Sequence, residues 1–377
     1  MRVILLTGAT GLLGNEILRS YLEAPDDIQI RVLIRGTIEE RENKFSMLVA
    51  DTDTVTRERF AARVQPVWGD LAQPRLGMSE DDWRMLADRV TDIVNSAASI
   101  DFALPLDVAR AVNYQGTVNL VEFARACKHL RGLAHVSTAH VAGKRTGIVT
   151  EDELEHDAGF VNSYEQSKFQ AEQFLRAQMA DLPIAVYRSS TLIGDSRGGI
   201  VRQFNFFHIA MRFAYHGLIP ALPGVPDGHI DFIPTDYAAR AIRYLVDHNF
   251  RPGTTYHICA EPEKSYTLQE LVDSTVQVFR SSAWSKKRKI RSVPIVDPAT
   301  FEQILREARE NGHGRVLQAI IPLTYFMPHL ALPKIFDTAH TRRDLRDSEL
   351  QVPDIRSYYP QVVDYCLRTD WGRRVAS

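Results

Sequence analysis

The feature that most constrains this chain is a group of three glycines close to its start. The run Thr7-Gly8-Ala9-Thr10-Gly11-Leu12-Leu13-Gly14 follows the short apolar segment Val3–Leu6 and opens the helically spaced segment Leu12–Leu22. Glycine permits a tight turn there, lets the backbone approach a pyrophosphate and lets the helix pack closely on a sheet. The N-terminus of the helix then favours the phosphate charge. The pattern predicts a dinucleotide site that contains Gly8, Thr10, Gly11, Leu12, Leu13 and Gly14.

Strand-like and helix-like segments alternate through the first half of the chain. We predict further strands at Ile30–Ile34, Val64–Trp68, Asp92–Asn95, Leu133–Ser137 and Ile184–Arg188, and helices at Ser79–Ala87, Leu106–Leu130 and Asn162–Met179. Strands that alternate with helices of this length form parallel sheets. We therefore expect an α/β fold: a Rossmann-type doubly wound parallel sheet with a smaller C-terminal substrate-binding part.

The end of the second predicted strand indicates which dinucleotide binds. An NAD site places an acidic residue there to hold the ribose hydroxyls, whereas this chain has Arg35. Arginine suits a 2′-phosphate because its planar guanidinium pairs with phosphate oxygens. Lys44 or Arg41, on the following helix, is placed to assist, so the sequence favours NADPH. A solvated arginine at a strand end is the alternative. Asp70, after the third strand, is placed to accept from the adenine amine, with an ordinary turn aspartate as the alternative.

The composition of the sequence changes after about residue 190, where glycine and proline become frequent and the helical segments are short. We expect an NADP-binding Rossmann domain over residues 1–195, with pieces near 229–260 returning to its sheet. Residues 196–377 are expected to be mainly substrate-binding.

A phenol and an ammonium group stand four residues apart at Tyr164 and Lys168, so on a helix they share one face. A nearby lysine cation lowers the pKa of a tyrosine, which a proton-transfer catalyst needs near neutral pH. The preceding predicted strand ends in Ser137 and Thr138, and such strand ends line the ligand crevice of a parallel sheet. Either hydroxyl is placed to donate to a substrate carbonyl. Asn113, on the helix before, is placed to support the lysine through water.

Together these motifs resemble the extended short-chain dehydrogenase/reductase superfamily. The matching segments occur in the family's order: Gly8–Gly14, Asp70-Leu71, Asn113–Thr117, Ser137–Ala139, Tyr164–Lys168 and Tyr187-Arg188. The resemblance implies that Thr138 is the catalytic hydroxyl, Tyr164 the acid/base and Lys168 the ribose-binding lysine. The cofactor contacts expected on the same basis include Tyr164 and Lys168 themselves and Leu71, Ala97, Ala98 and Ser190.

A narrower resemblance, over residues 1 to about 240, is to thioester reductases and fatty acyl-CoA reductases, including the reductase domains of carboxylic acid reductases. It lies in Gly69–Ser79, Asn95–Phe102 and His135–Val141. The chain departs from that pattern because Asn95 replaces a histidine, His140 a tyrosine, and Ser189-Ser190 a proline-containing pair. The resemblance implies NADPH-dependent reduction of an acyl thioester, on coenzyme A (acyl-CoA) or an acyl carrier protein, to an aldehyde or alcohol.

Two other functions stay open at this point. An extended reductase of this type can act on a ketone, an aldehyde or a sugar nucleotide, as a reductase, epimerase or dehydratase. Epimerases usually hold NAD, and Arg35 counts against that cofactor. A protein that binds the cofactor without chemistry is the second alternative, against which the intact Thr138, Tyr164 and Lys168 argue.

Composition excludes several further classes. The 45 Lys and Arg against 47 Asp and Glu give a net charge of −2, so no nucleic-acid partner is expected. The three cysteines are far apart and no metal-binding histidine spacing occurs, so we expect neither disulfides nor a metal. The first apolar run breaks at Thr7-Gly8 and no run of about 18 apolar residues follows. We therefore expect a cytoplasmic protein without a signal peptide or a membrane span, in which an oligomer is possible.

Two C-terminal segments have more than one interpretation. The basic run Lys286–Arg291 is interpreted as a solvated strand edge, with contact to the phosphates of coenzyme A or to an acidic carrier protein as the alternative. The apolar segment Val316–Phe336 is interpreted as core, with an acyl tunnel, a membrane surface or a dimer contact as alternatives.

Overall fold

Fifteen strands occur in the computed structural model, which describes residues 1–24, 27–50, 52–285, 289–311 and 314–374, without the side chains of residues 315 and 322. They are β1 (Arg2–Thr7), β2 (Ile28–Ile34), β3 (Val64–Trp68), β4 (Asp92–Asn95), β5 (Gly132–Thr138), β6 (Gly147–Val149), β7 (Ile184–Ser189), β8 (Thr191–Leu192), β9 (Leu222–Pro223), β10 (His229–Ile230), β11 (Phe232–Ile233), β12 (Thr255–Ile258), β13 (Tyr266–Thr267), β14 (Ile295–Val296) and β15 (Lys334–Phe336). Within these ranges seven strands form one parallel sheet in the order β12-β7-β5-β4-β1-β2-β3. This confirms the predicted Rossmann-type α/β fold.

The helices follow the strands in the predicted alternation. They are α1 (Leu12–Glu23), α2 (Ile38–Met47), α3 (Thr54–Arg63), α4 (Glu80–Ala87), α5 (Leu106–Arg110), α6 (Gly116–Ala126), α7 (Ser163–Gln178), α8 (Phe206–Tyr215), α9 (Thr235–His248), α10 (Leu268–Ser281), α11 (Pro298–Glu310), α12 (Gly314–Ile320), α13 (Ala339–Asp344) and α14 (Ile355–Arg368). The helix predicted over Leu106–Leu130 is wrong in two respects. A π-helical turn at Ala111–Gln115 separates α5 from α6, and α6 ends at Ala126 because Cys127 is extended.

The central sheet is buried on both faces, which is why its strands are nearly continuous apolar runs. Along β1, Ile4 and Leu6 enter one core, which α1 and α9 cover. Val3 and Leu5 point to the opposite core, which α4 and α6 cover. Alternate residues of one short strand therefore hold two helical layers on the same sheet.

The chain returns to the central sheet after residue 230. Helix α9 packs on α1, and β12 pairs with β7 as the last strand of the sheet. Helices α8, α10 and α14 surround a separate apolar core outside the sheet. The domain boundary near residue 195 stays a prediction.

The expectations for the basic run and for a membrane span can be compared only with the described residues. Lys286, Lys287 and Arg288 of the basic run lie outside the described residues. In the part of the chain that the structure describes, no helix is both long and apolar enough to cross a bilayer.

Candidate active site

The glycine turn leaves almost no room for side chains. Gly8 has φ +73°, and a Cβ there would stand 2.5 Å from the backbone nitrogen of Ala97. A Cβ on Gly14 would overlap the carbonyl oxygen of Gly8. Helix α1 starts after Gly11 without a side-chain cap, so its first N–H groups are available to an anionic ligand. The predicted phosphate cradle is thus present in the backbone.

Two cationic residues, Arg35 and Lys44, lie at the end of β2. Arg35 is exposed directly after this strand, and the Nζ of Lys44 donates to the Arg35 carbonyl oxygen over 3.0 Å. Asp70 accepts from the Ala72 N–H over 3.0 Å, as a turn aspartate does, and its side chain stays partly exposed. This end of the sheet therefore offers positive charge for an anionic group beyond the glycine turn.

The other predicted cofactor contacts lie at neighbouring strand ends. The N–H of Ala97 donates to Thr7 Oγ1 over 3.2 Å, which joins the ends of β1 and β4. Ser190 follows β7, and its hydroxyl donates to the Asp231 carbonyl oxygen over 2.6 Å. Leu71 is buried, and its carbonyl oxygen accepts from Asn119 of α6. Their contacts with a cofactor stay predictions.

The structure brings Thr138 and Tyr164 together. Thr138 ends β5, Tyr164 stands in the first turn of α7, and the Thr138 hydroxyl is close enough to lower the pKa of the phenol. Ser137 points elsewhere, since its hydroxyl donates to Glu172 Oε2 over 2.9 Å. Glu172 in turn forms a buried ion pair with Arg188. Of the two hydroxyls that the sequence offered, Thr138 is therefore the one placed beside the phenol.

The pKa relation predicted for Tyr164 and Lys168 is wrong in this geometry. Burial raises the pKa of Tyr164 to about 12, which outweighs the lowering by the Thr138 hydroxyl. Burial also lowers the pKa of Lys168 to about 8. The Lys168 ammonium donates to the Val136 carbonyl oxygen over 2.9 Å and lies 3.0 Å from His135 Nε2. It is thus held against β5 rather than against the phenol.

A buried polar chain continues from Lys168 into the sheet, and sequence reasoning missed it. Burial and Lys168 lower the pKa of His135, so its imidazole is neutral and can accept from the ammonium. His135 Nδ1 lies 3.0 Å from the Asn95 amide, which accepts from Thr7 Oγ1 over 2.6 Å. Asn95 and His135 both lie in motifs that the sequence analysis singled out, and the two residues are paired across the neighbouring strands β4 and β5.

Asn113 is a positioning residue in this structure. Its amide accepts from the Ser99 N–H over 2.8 Å and donates to the Ser99 carbonyl oxygen and to Ser167 Oγ. These bonds fasten the loop after β4 to helix α7, one residue before Lys168. The predicted water bridge between Asn113 and Lys168 stays a prediction.

An apolar cavity is connected to Tyr164 by a chain of aromatic rings. Its empty volume is about 870 Å³ including the open mouth, within the ~300–1,000 Å³ range of small-molecule sites. Apolar residues of α8, α10 and α14 supply most of its wall, and Arg291 is the one charged residue in the described lining. The rings of Phe102, Phe206 and Phe326 connect Tyr164 to the cavity, with centroid distances of 5.4, 5.3 and 4.0 Å between successive rings.

The segment Val316–Phe336 forms part of the cavity wall. Four of its residues face the cavity: Leu323, Phe326, Met327 and Leu330. Leu323 and Met327 are also buried in a small apolar cluster, so the segment is both core and lining. This arrangement agrees with the predicted core and supports the tunnel alternative.

A polar cluster fastens this segment to helix α7. His329 Nε2 lies 2.5 Å from Glu165 Oε1, and the Asn162 amide donates to the Tyr325 carbonyl oxygen over 3.0 Å. The ring of His140 packs against His329 with 4.8 Å between centroids. Sequence spacing gave no signal for this cluster, because Glu165 and His329 stand 164 residues apart.

Comparison with known proteins agrees with this site. The sequence profile of the male sterility protein family, an NAD-binding family, matches residues 6–242, more than half of the chain. The chain belongs to this family. The match confirms the predicted resemblance to extended short-chain dehydrogenases/reductases, and it makes the sheet a nicotinamide-cofactor fold.

Curated relatives of the chain are longer proteins. It is 27% identical over 374 residues to one of the subunits of the linear gramicidin synthase of Brevibacillus parabrevis, covering 97% of this chain and 7% of the relative. It is 29% identical over 269 residues to the putative fatty acyl-CoA reductase CG8303 of Drosophila melanogaster, covering 62% of this chain and 50% of the relative. The chain thus spans half or less of each.

Solved structures share the fold over nearly the whole chain. The terminal R domain of the myxalamid PKS-NRPS pathway has a TM-score of 0.83 at 25% identity, covering 98% of this chain and 92% of that chain. A thiolation-reductase di-domain from an archaeal non-ribosomal peptide synthetase has a TM-score of 0.75 at 21% identity, covering 98% of this chain and 76% of that chain.

Proposed function

We propose that the chain is an NADPH-dependent reductase of acyl thioesters, carried on coenzyme A or on an acyl carrier protein, that forms an aldehyde or an alcohol. One observation carries this proposal. The hydroxyls of Thr138 and Tyr164 lie close together at the carboxyl edge of a nicotinamide-cofactor sheet, and aromatic rings connect Tyr164 to an apolar cavity. Relatives named as a linear gramicidin synthase and a fatty acyl-CoA reductase support it.

The cofactor edge suits NADPH. The uncapped start of α1 takes the pyrophosphate, and Gly8 and Gly14 let it approach. Arg35 and Lys44 are the groups we assign to the 2′-phosphate. When bound, the nicotinamide supplies a hydride to the thioester carbonyl carbon.

The protein's own part in the reaction is to stabilise and protonate the carbonyl oxygen. Thr138 and Tyr164 donate hydrogen bonds to this oxygen, which strengthen as negative charge develops on it. Because the Tyr164 pKa is about 12, its hydroxyl keeps a proton at neutral pH and can deliver it to the oxygen. Lys168, held by His135 and Val136, is the group we assign to the nicotinamide ribose.

Product release follows from the hemithioacetal formed in this way. Its C–S bond breaks, the hydroxyl proton passes to the sulfur, and the products are a free thiol and an aldehyde. Further reduction of the aldehyde to the alcohol would need a second hydride from a second NADPH and a second proton, which Tyr164 would supply to the carbonyl oxygen.

The cavity favours an acyl substrate over a sugar nucleotide. Its described lining is aliphatic and aromatic apart from Thr275, Arg291 and the phenol of Tyr359. A sugar in such a cavity would lose its hydrogen bonds with water and gain few in return. The transfer of a hydrocarbon chain from water into such a cavity is instead favourable. The thiolation-reductase di-domain of the same fold supports a carrier-bound form of the substrate.

The direct test is NADPH consumption by the purified protein. Long-chain acyl-CoA, short-chain acyl-CoA, the same acyl groups on a carrier protein, and the matching aldehydes are compared, with NADH as the cofactor control. We expect turnover of a thioester with NADPH, and the aldehyde assay shows whether reduction continues to the alcohol. Turnover of aldehydes alone would mean that the protein is a carbonyl reductase and not a thioester reductase. Tightly bound NAD with no thioester turnover would favour the sugar-nucleotide alternative.

A further inference from the structure

His140 contacts both the catalytic Thr138 and a residue of the cavity wall. Its backbone N–H donates to Thr138 Oγ1 over 3.2 Å. Its ring meets Phe326 edge-on, with 5.9 Å between centroids, and Phe326 lines the cavity. The imidazole is therefore close to the route from the catalytic hydroxyls to the cavity.

One nitrogen of the His140 ring has no partner. Nε2 lies 3.3 Å from Thr191 Oγ1, whereas Nδ1 is shielded from solvent and makes no hydrogen bond. Burial, together with His329 and Lys334, keeps the pKa of His140 well below its usual range. The ring is therefore neutral, with one donor and one acceptor nitrogen. Native proteins leave few buried polar atoms unpaired, so Nδ1 offers a position at which a polar group of a ligand can bind.

The polar groups around His140 are already paired. His329 Nε2 lies 2.5 Å from Glu165 Oε1, and His329 Nδ1 lies 3.5 Å from the Lys334 ammonium. Glu165 also accepts two further hydrogen bonds of 3.0 Å, one from a backbone N–H and one from a side-chain amide. The atom left open in this cluster is therefore Nδ1 of His140.

A metal ion fits this cluster poorly, although the ligand atoms of His140, Glu165 and His329 lie within 4.8 Å of one another. The second nitrogen of a metal-bound histidine usually donates to a carboxylate or carbonyl. In this cluster that nitrogen of His329 faces the ammonium of Lys334, which repels a cation. The arrangement favours a neutral polar ligand.

A hydroxyl is the group that satisfies Nδ1 best, because it donates and accepts and so suits either tautomer of the ring. We propose that His140 recognises a hydroxyl group borne by the acyl chain close to its thioester, while the rest of the chain enters the apolar cavity. This inference rests on the proposed function and narrows its substrate to hydroxyacyl thioesters. An unsubstituted acyl chain leaves Nδ1 unpaired, which disfavours its binding.

The test compares three CoA thioesters of one chain length: unsubstituted, 2-hydroxyacyl and 3-hydroxyacyl. Both kcat/KM with NADPH and the dissociation constant by calorimetry are measured. We expect one hydroxyacyl thioester to have a kcat/KM about tenfold or more higher, and a dissociation constant about tenfold or more lower, than the unsubstituted one. His140→Phe keeps an aromatic ring but removes both nitrogens, so it should abolish this preference.

His156→Phe is the matched control. His156 also has an Nδ1 without a partner and packs among aromatic rings, those of Phe160 and Phe169. Neither of these rings lines the cavity in the described structure, whereas His140 contacts the lining residue Phe326. The variant should therefore keep the preference for the hydroxyacyl thioester.

Three results would overturn the inference in different ways. Equal values for all three thioesters, each turned over, contradict the hydroxyl site and leave the proposed function standing. Failure to turn over any thioester, with aldehydes still reduced, contradicts both. Loss of activity with a chelator, restored by zinc in the wild type but not in His329→Asn, would make the cluster a metal site instead.

Discussion

The cofactor edge and the apolar cavity of this protein are built in opposite ways. The cofactor edge, from the glycine turn at residues 8–14 to Lys168, consists of short segments at the ends of adjacent parallel strands. The cavity is assembled from α8, α10, α14 and the segment 323–330, which are distant in sequence. Backbone atoms shape the first region, whereas side-chain volume shapes the second.

The two regions should therefore respond differently to substitution. A Cβ at Gly8 or Gly14 meets backbone atoms that have no room to move. The cavity wall consists of flexible apolar side chains, and such walls tolerate changes that conserve volume. Changes at the cofactor edge should remove a function outright, and changes in the cavity should shift a preference by degrees.

The largest effect is expected for Tyr164→Phe. The phenyl ring keeps the contact with Phe102 but cannot donate a proton, so kcat on a thioester should fall by about 10²–10⁴. NADPH affinity, measured by fluorescence titration, should stay close to that of the wild type. Thr138→Ser keeps a hydroxyl and serves as the mild control. Full turnover by the phenylalanine variant would remove Tyr164 from the mechanism.

Arg35→Ala should have the next largest effect. Loss of a guanidinium paired with phosphate should weaken NADPH binding by about 10–100-fold and leave NADH binding unchanged. The dissociation constants of both cofactors measure the difference. Arg57→Ala, on an exposed helix of the same layer, is the control. Equal weakening for both cofactors would show that Arg35 holds something other than the 2′-phosphate.

The same contrast explains what the sequence could predict. The strands of the sheet, the glycine turn and the pairing of Thr138 with Tyr164 follow from patterns within a few residues or from strand order. The prediction that Lys168 lowers the pKa of Tyr164 was wrong because it considered the charge of the lysine and left out the burial of both side chains. Burial dominates both pKa values, and it depends on neighbours from the whole fold.

Contacts between distant segments could not be read from spacing. His135 is 33 residues from Lys168, and its role appears only when β5 lies under α7. Glu165 and His329 meet because the segment around Tyr325 folds back on the start of α7. Both pairs follow from tertiary packing, which a motif does not encode.

A smaller, graded effect is expected from filling the cavity. Ala210 lines it, and Ala210→Phe should lower kcat/KM for a long acyl-CoA by about tenfold, because the lost space corresponds to a few methylenes. Short-chain turnover and NADPH affinity should not change. Ile209→Phe, at an exposed position of the same helix, is the control. An equal loss for all chain lengths would mean that the acyl chain lies elsewhere.

The smallest effect concerns Asp231, which joins the two regions. Its Oδ1 accepts from the Ala260 N–H over 2.9 Å, and its carbonyl oxygen accepts from Ser190. Burial raises the pKa of Asp231 to about 6, above the unfolded value of about 3.9. The folded protein therefore favours the protonated form. The stability that this carboxyl contributes is fully present below about pH 4 and is lost as the pH rises through about 6.

Asp231→Asn keeps an acceptor oxygen and has no charge to lose. We expect the variant to raise Tm by about 1–3 °C at pH 8 and to leave Tm unchanged at pH 4. A shift of one pKa unit corresponds to about 1.4 kcal/mol, and in a chain of this size each kcal/mol changes Tm by only a few degrees. Thermal unfolding at both pH values measures the difference. Asp227→Asn, at an exposed position nearby, should show no such pH dependence. An equal gain in Tm at both pH values would show that the effect comes from packing of the amide and not from loss of the Asp231 charge.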